Sequence, residues 1–226
     1  LVPLITAFSK SASSKIIFAC WIFNVINTNK INAWYDLSGK KNHAIQTQAS
    51  QYPEFNSTGI KNGLNSIKFT NIDNTNSSSI HLKVPYDQDF KTDSYDIFIV
   101  ANISSKEGGN QSDGQGFMSN KSTGSSTGLS VIQRNNKIGT HHKNYGYNQD
   151  LSQDVSINKN YIINVTNDNK NKEIIYLNGL PSLYQKVNTE FDSNFNSDMT
   201  IGSFYNSGWG GLNGNIGEII YFKKTL

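Results

Sequence analysis

The stretch that most constrains the fold is Gly211-Leu212-Asn213-Gly214-Asn215-Ile216-Gly217-Glu218-Ile219-Ile220-Tyr221-Phe222-Lys223. It opens on a glycine and asparagine turn and runs on as β-branched and aromatic residues. Such a pattern predicts a strand apolar on both faces, hence one lying centrally in a sheet. Strict alternation assigns Gly217, Ile219 and Tyr221 to one face and Ile216, Glu218, Ile220 and Phe222 to the other. A central strand at the end of a chain must pair with strands drawn from far upstream, so the tail is expected to close the fold.

The remaining chain supplies many short strands of the same kind. Ile16 to Phe23 is the first, and Cys20, the only cysteine, sits within it as a small core hydrophobe. Asp36, Ser38 and Gly39 predict a tight turn, with Trp34 filling the core beside it. Ser66 to Thr70 alternates, as does Ile80 to Val84, where Ile80, Leu82 and Val84 point inward and His81 and Lys83 face solvent. Tyr95 to Ile103 is a longer strand with Tyr95, Ile97, Ile99, Ala101 and Ile103 on one face. Gly116 to Ser119 is a short strand between two loops. Asn135-Asn136 predicts a hairpin turn between Leu129–Arg134 and Lys137–His142, and Tyr161–Thr166 pairs with Glu173–Leu177. Asn178-Gly179 marks a further tight turn. No segment of useful length has helical periodicity. The fold class is therefore all-β, a two-sheet antiparallel β-sandwich of jelly-roll type.

A chain of 226 residues suits one large domain that needs no disulfide. Residues 1–15, apolar and then serine-rich, read as an N-terminal arm or spacer, and 16–226 as the domain. The start at Leu1 suggests a processed product or an excised piece. No apolar stretch reaches ~18 residues, which argues against membrane insertion by a helix. The net charge of +3 is weak and the 20 basic residues are scattered. Lys40-Lys41 and Lys223-Lys224 are the densest pairs, and neither alone neutralises several phosphates, so nucleic acid is not an expected partner.

Ala33 to Gly39 followed by Asn42-His43-Ala44 resembles the W-x-D-x-S-G-x-x-N-x-A opening of bacterial LamG-like jelly-roll domains, members of the concanavalin A-like lectin/glucanase superfamily. Gly63–Phe69, Tyr95–Val100, Ile174–Gly179, Ile201–Ser203 and Gly214–Tyr221 continue the resemblance in the same order over most of the chain. It implies two antiparallel sheets, one concave and one convex, and leaves function to the site.

Family members that hydrolyse glycans carry paired carboxylates on the concave face, and a retaining mechanism needs them ~5–5.5 Å apart. No such run exists here; Glu218 stands alone in a confident strand, with a structural role expected. His141-His142 point to opposite faces of a strand, which disfavours a shared metal and leaves solvated or rim-lining histidines. Calcium, common at the rim of laminin G-like domains, is the expected ion if one binds, with Asp73, Asp113 and Asp168 in loops of suitable composition. Six Asn-x-Ser/Thr triplets begin at Asn56, Asn76, Asn102, Asn110, Asn120 and Asn164; in a chain so rich in Asn and Ser, chance accounts for most.

Sugar binding asks for an aromatic ring to stack on a pyranose and amides for its hydroxyls. The loop Phe204 to Asn213 offers Tyr205, Asn206 and Trp209, and the stretch His142 to Asn148 offers His142, Tyr145 and Tyr147. The reading is a non-catalytic carbohydrate-binding or adhesion module, displayed on a cell or virion surface or within a larger extracellular protein, with a glycan or glycoconjugate as partner. A structural surface protein, packing on protein neighbours in a virion, fibre or cell coat, is the alternative. A glycan hydrolase or lyase stands third.

Overall fold

A computed structural model describes residues 16–26, 29–60, 63–71, 79–92, 94–105, 114–121, 128–142, 146–148, 154–168, 172–181, 186–187, 197–205 and 210–223; of 16–22, 142, 146–148, 172 and 186–187 it describes the backbone alone. The strands, in chain order, are β1 (Ile16–Ile26), β2 (Lys30–Asp36), β3 (Ala44–Ile45), β4 (Glu54–Ile60), β5 (Leu64–Thr70), β6 (Leu82–Val84), β7 (Tyr95–Ile103), β8 (Gln115–Ser119) and β9 (Ser130–Arg134). They continue with β10 (Lys137–His142), β11 (Gly146–Asn148), β12 (Asn160–Asn167), β13 (Lys172–Leu177), β14 (Leu180–Pro181), β15 (Lys186–Val187), β16 (Met199–Ile201) and β17 (Asn213–Phe222). Among the described residues the only helical segments are short 3₁₀ turns, such as those at Ala49–Gln51 and Gln88–Phe90.

Every strand pairing is antiparallel, and together they form two packed layers. The first layer runs β4, β5, β17, β7, β12, β13, with β14 and β15 on the β13 edge. The second runs β3, β6, β16, β8, β9, β10, β11. β1 and β2 join the layers: β1 pairs with the last residues of β17 and with β2, which reaches β3. The closing strand is central, as its sequence requires. Its first half lies against β5, its second half against β1, and its far side against β7 along nearly its whole length.

Strict alternation fails within β17. Ile216 pairs with Ala101 and Glu218 with Val100, so Gly217 is the extra residue of a β-bulge. The bulge turns Ile216 onto the same face as Ile219 and Tyr221, and all three enter the core between the layers. Glu218, Ile220 and Phe222 take the opposite face, also buried. Opposite them, Tyr95, Ile97, Ile99, Ala101 and Ile103 of β7 face the core as their alternation predicts. The second layer contributes Leu82, Val84, Phe117, Met118, Val131, Ile138, Met199 and Ile201.

The turns follow their sequence signals. Asn135 and Asn136 have φ of 46° and 65°, and Asn178 and Gly179 of 51° and 82°, the left-handed pairs a two-residue hairpin needs. At the Asp36 turn, Oδ1 accepts the Ser38 amide at 2.9 Å, while Oδ2 accepts the Ser38 hydroxyl at 2.8 Å and the Asn42 amide at 2.9 Å. Trp34 is buried beside it. Cys20 lies on the backbone of β1, paired with Ile219; its side chain is outside the described residues.

His81 departs from its expected place. The strand starts only at Leu82, so alternation does not reach His81, which is buried. Its Nδ1 bonds the Ser79 carbonyl at 2.6 Å, and its own carbonyl accepts from Gln46 Nε2 at 3.0 Å. Burial holds its pKa below the usual histidine value.

Candidate functional site

After β16 the chain does not leave the second layer. Gly202, at φ 85°, reverses it, and Ser203, Phe204 and Tyr205 lie back over the outer face of β8 and β9. The path is fixed by hydroxyls on that face. Ser130 Oγ donates to the Phe204 carbonyl at 2.9 Å, and Thr200 Oγ1 and Ser203 Oγ donate to the Tyr205 carbonyl at 3.4 and 3.0 Å. The returning end is tied as firmly. The Gly116 amide donates to the Gly210 carbonyl, and the Leu212 amide to the Gly202 carbonyl, each at 2.9 Å. Buried Asn71 adds a clamp, donating to the Leu212 carbonyl at 2.8 Å and accepting the Ile80 amide at 2.7 Å. Gly116 has to be glycine, because a Cβ there would overlap the Ser203 carbonyl and Phe204 Cα.

This strap carries an aromatic cluster. Phe204 and Tyr205 stack with centroids 4.1 Å apart and planes 30° apart. The His141 ring lies 5.1 Å from Phe204 and 6.3 Å from Tyr205. His141 arrives there because the Asn135-Asn136 turn sets the β9–β10 register, which places it opposite Ser130. On its other side β11 places Tyr147 directly across from His141 and Gly146 across from His142. The residue just before the His142–Asn148 stretch therefore packs on the start of the Phe204–Asn213 loop.

Of the sequence-derived candidates, Tyr205 is 8% exposed, with one ring face on Phe204, so little of that ring meets solvent. His142 and Tyr147 sit on the paired backbones of β10 and β11, their side chains outside the described residues. Trp209, Asn206 and Tyr145 lie outside the described residues altogether, as do Asp73 and Asp113. His141, expected to be solvated or rim-lining, is instead buried under the strap. Ser130 and Gly116 are further parts of the site that composition did not single out. Only the cross-strand register reveals them, as it aligns Thr200, Ser119, Ser130 and His141 in one row.

Glu218 is not the only buried acid on the strands. Asp96 and Glu173 are buried too. Glu218 and Asp96 share the outer face of the first layer, but Glu218 pairs with Val100, four residues along β7 from Asp96. At ~3.3 Å per residue that separation is on the order of 13 Å, far beyond a retaining pair. Glu173 faces the core, where it accepts from the hydroxyls of Tyr95, at 2.9 Å, and Thr140. Among the described residues no three His, Cys, Asp or Glu side chains gather as metal ligands, and no helix is long and apolar enough to cross a membrane. Two of the Asn-x-Ser/Thr positions, Asn102 and Asn120, are buried, and Asn120 Oδ1 accepts the Leu129 amide at 2.7 Å.

No protein-family model matches the chain, and no curated protein matches it in sequence. Solved structures do. The binding domain of Paraclostridial Mosquitocidal Protein 1 superposes with a TM-score of 0.64 at 13% identity, over 95% of this chain and 50% of that one. Trypanosoma rangeli sialidase in complex with sialic acid superposes at 0.61 and 12%, over 94% and 31%. Domain 4 of AbnA, a GH43 extracellular arabinanase from Geobacillus stearothermophilus in complex with arabinotriose, superposes at 0.62 and 10%, over 94% of each chain. The likeness is one of fold. The chain has an all-β sandwich architecture, and it spans half or less of the sialidase and mosquitocidal chains.

Proposed function

We propose that this chain is a non-catalytic carbohydrate-binding module of LamG-like type, whose site lies on the outer face of the second layer, where the strap meets the β10–β11 hairpin. The observation that carries the reading is the buried contact of His141 with Phe204 and Tyr205, which brings the residue preceding the His142–Asn148 stretch against the start of the Phe204–Asn213 loop. The glycine- and hydroxyl-anchored stem gives that contact a rigid base, and rigid placement lowers the ordering cost of binding. The separation of Asp96 from Glu218 along β7 rules out this pair as the two carboxylates of a retaining glycosidase. Several solved neighbours are binding domains or were captured with sugars, which agrees with an exported module whose partner is a glycan.

The experiment is a panel of soluble glycans titrated against the full chain, with and without calcium, beside Trp209→Ala and Tyr147→Ala variants checked for an unchanged melting temperature. Binding that falls at least tenfold in folded variants supports the site. Affinity retained in both variants removes it. Silence across the panel, with a defined oligomer in solution, favours the structural surface protein, and a gain with calcium places an ion at the rim.

A further inference from the structure

The lead-in to β6 seats a histidine in a place that suits only its neutral form. His81 is 3% exposed, and its Nδ1 lies 2.6 Å from the Ser79 carbonyl. A carbonyl oxygen only accepts, so Nδ1 carries the ring proton and Nε2 keeps a bare lone pair. Facing that lone pair, at 3.5 Å, is the side-chain nitrogen of Gln46. The orientation of this amide is fixed by its neighbours. Gln46 Oε1 accepts the backbone amides of Thr47 and Gln48 at 3.0 and 3.1 Å, which turns the NH2 group toward His81, where it also donates to the His81 carbonyl at 3.0 Å. A proton added to Nε2 would therefore set one donor against another, beside a buried amide whose oxygen is already taken.

The surrounding charges do not relieve this. β3 brings Ile45 across from Lys83, and β16 brings Thr200 and Ile201 across from Lys83 and Leu82. Among the described residues the charged group that acts on the ring is Lys83, which repels an imidazolium. Burial is the larger influence. Burial and Lys83 together outweigh the pull of the Ser79 carbonyl, and the ring stays neutral where a free histidine begins to take up a proton.

Ile80, the residue before it, connects this seat to the strap. Asn71 Oδ1 accepts the Ile80 amide at 2.7 Å, while Asn71 Nδ2 donates to the Ile80 carbonyl at 3.2 Å and to the Leu212 carbonyl at 2.8 Å. One buried side chain thus grips the neighbour of His81 and the returning end of the strap together. The fit leaves no slack, since a Cβ at Gly211 would lie 2.3 Å from Asn71 Cγ. Leu212 in turn donates its amide to the Gly202 carbonyl, where the strap begins.

We infer that His81 is an acid-released latch on the strap: a proton on Nε2 drives residues 79–81 from their seat, frees Asn71 and loosens the Gly210–Leu212 end. Above the ordinary histidine pKa of 6.5 the seated and the released ring are both neutral, and the latch holds. As the pH falls below that value the released ring takes up a proton before the seated one does. Release is then favoured by up to about thirtyfold at pH 5. Where the strap carries a glycan site, which rests on the function proposed above, acid also lowers glycan affinity.

Amide hydrogen exchange of the full chain tests the latch without any ligand, read residue by residue at pH 7.5 and pH 5 and corrected for the rates of an unstructured peptide. The Ile80 and Leu212 amides are expected to lose protection by about tenfold or more in acid. Ile99 and Ile163, paired within the first layer, should change by less than about twofold. His81→Asn keeps a donor near the Ser79 carbonyl and does not titrate, so both strap-side amides should hold their protection at pH 5. Gln46→Glu keeps one oxygen for Thr47 and Gln48 and turns the other to Nε2, so acid should tighten the latch in that variant instead of opening it. An acid loss that persists in His81→Asn, the same loss in Gln46→Glu as in the parent, a fall confined to Ile80, or an equal fall at Ile99 and Ile163 would each overturn the inference. Glycan affinity that holds at pH 5 while Leu212 opens supports the latch and removes the strap as the glycan site.

Discussion

Lys121 shows how far one side chain can depart from its solution chemistry. It follows β8, where its amide donates to Ser119 Oγ at 3.0 Å, and it is 2% exposed. Burial lowers its pKa from 10.5 to about 8. The unfolded chain then holds this proton up to about pH 10.5 and the folded chain only to about pH 8. Within that window the unfolded state binds more protons, so raising the pH favours folding, by at most ~3 kcal/mol once the window is crossed. Buried Tyr221 and Tyr95 act in the opposite sense above pH 10, because burial raises their pKa and the unfolded phenols ionise first. Lys121→Met should therefore be more stable than the parent at pH 7, with the difference shrinking as the pH approaches 10. Urea denaturation at a series of pH values reads it directly, and a difference independent of pH would rule out the buried-ammonium explanation.

Among the elements, the strap was partly legible and partly hidden in the sequence, for a physical reason. Composition picked out its aromatic and amide residues, because those types recur wherever sugars stack. Composition says nothing about Ser130, Thr200 and Gly116, which matter only through cross-strand register, and register is a property of pairs. His141 went the same way: beside His142 it reads as a rim histidine, whereas opposite Ser130 and under Phe204 it is buried. The element is tested most sharply where it has no room to yield. Gly116→Ala would force a methyl group into the Ser203–Phe204 backbone, which costs about 1–3 kcal/mol if the strap stays and less if it lifts. Lifting would expose the Phe204–Tyr205 stack to solvent. The expected outcome is a lower melting temperature together with increased binding of a hydrophobic dye, and an unchanged melt with an unchanged near-ultraviolet dichroism spectrum would show the strap to be loosely held.

At the scale of the whole molecule, the β-sandwich was legible because alternation, turn residues and the absence of helical periodicity agreed along the chain. The one misassigned face of β17 lay at Gly217, where a bulge adds a residue that period-two counting cannot see. That strand also sets how the molecule must fold. β17 fills the space between β7 on one side and β5 and β1 on the other, pairing with strands that begin about 120, 150 and 200 residues earlier. Without it, β7 loses its partner on that side, Ile216, Ile219 and Tyr221 leave the core, and β1 keeps only β2. An edge so long and apolar cannot be solvated cheaply, since each fully buried aliphatic side chain carries about 1.5–3 kcal/mol. A chain ending at Leu212 should therefore show no cooperative thermal transition, although it retains sixteen of the seventeen strands found among the described residues. Supplying residues 213–226 as a separate peptide should restore a transition whose midpoint rises with peptide concentration, as mass action requires. A cooperative melt of the truncated chain alone would mean that the layers close without their central strand, and the fold would then not depend on its tail.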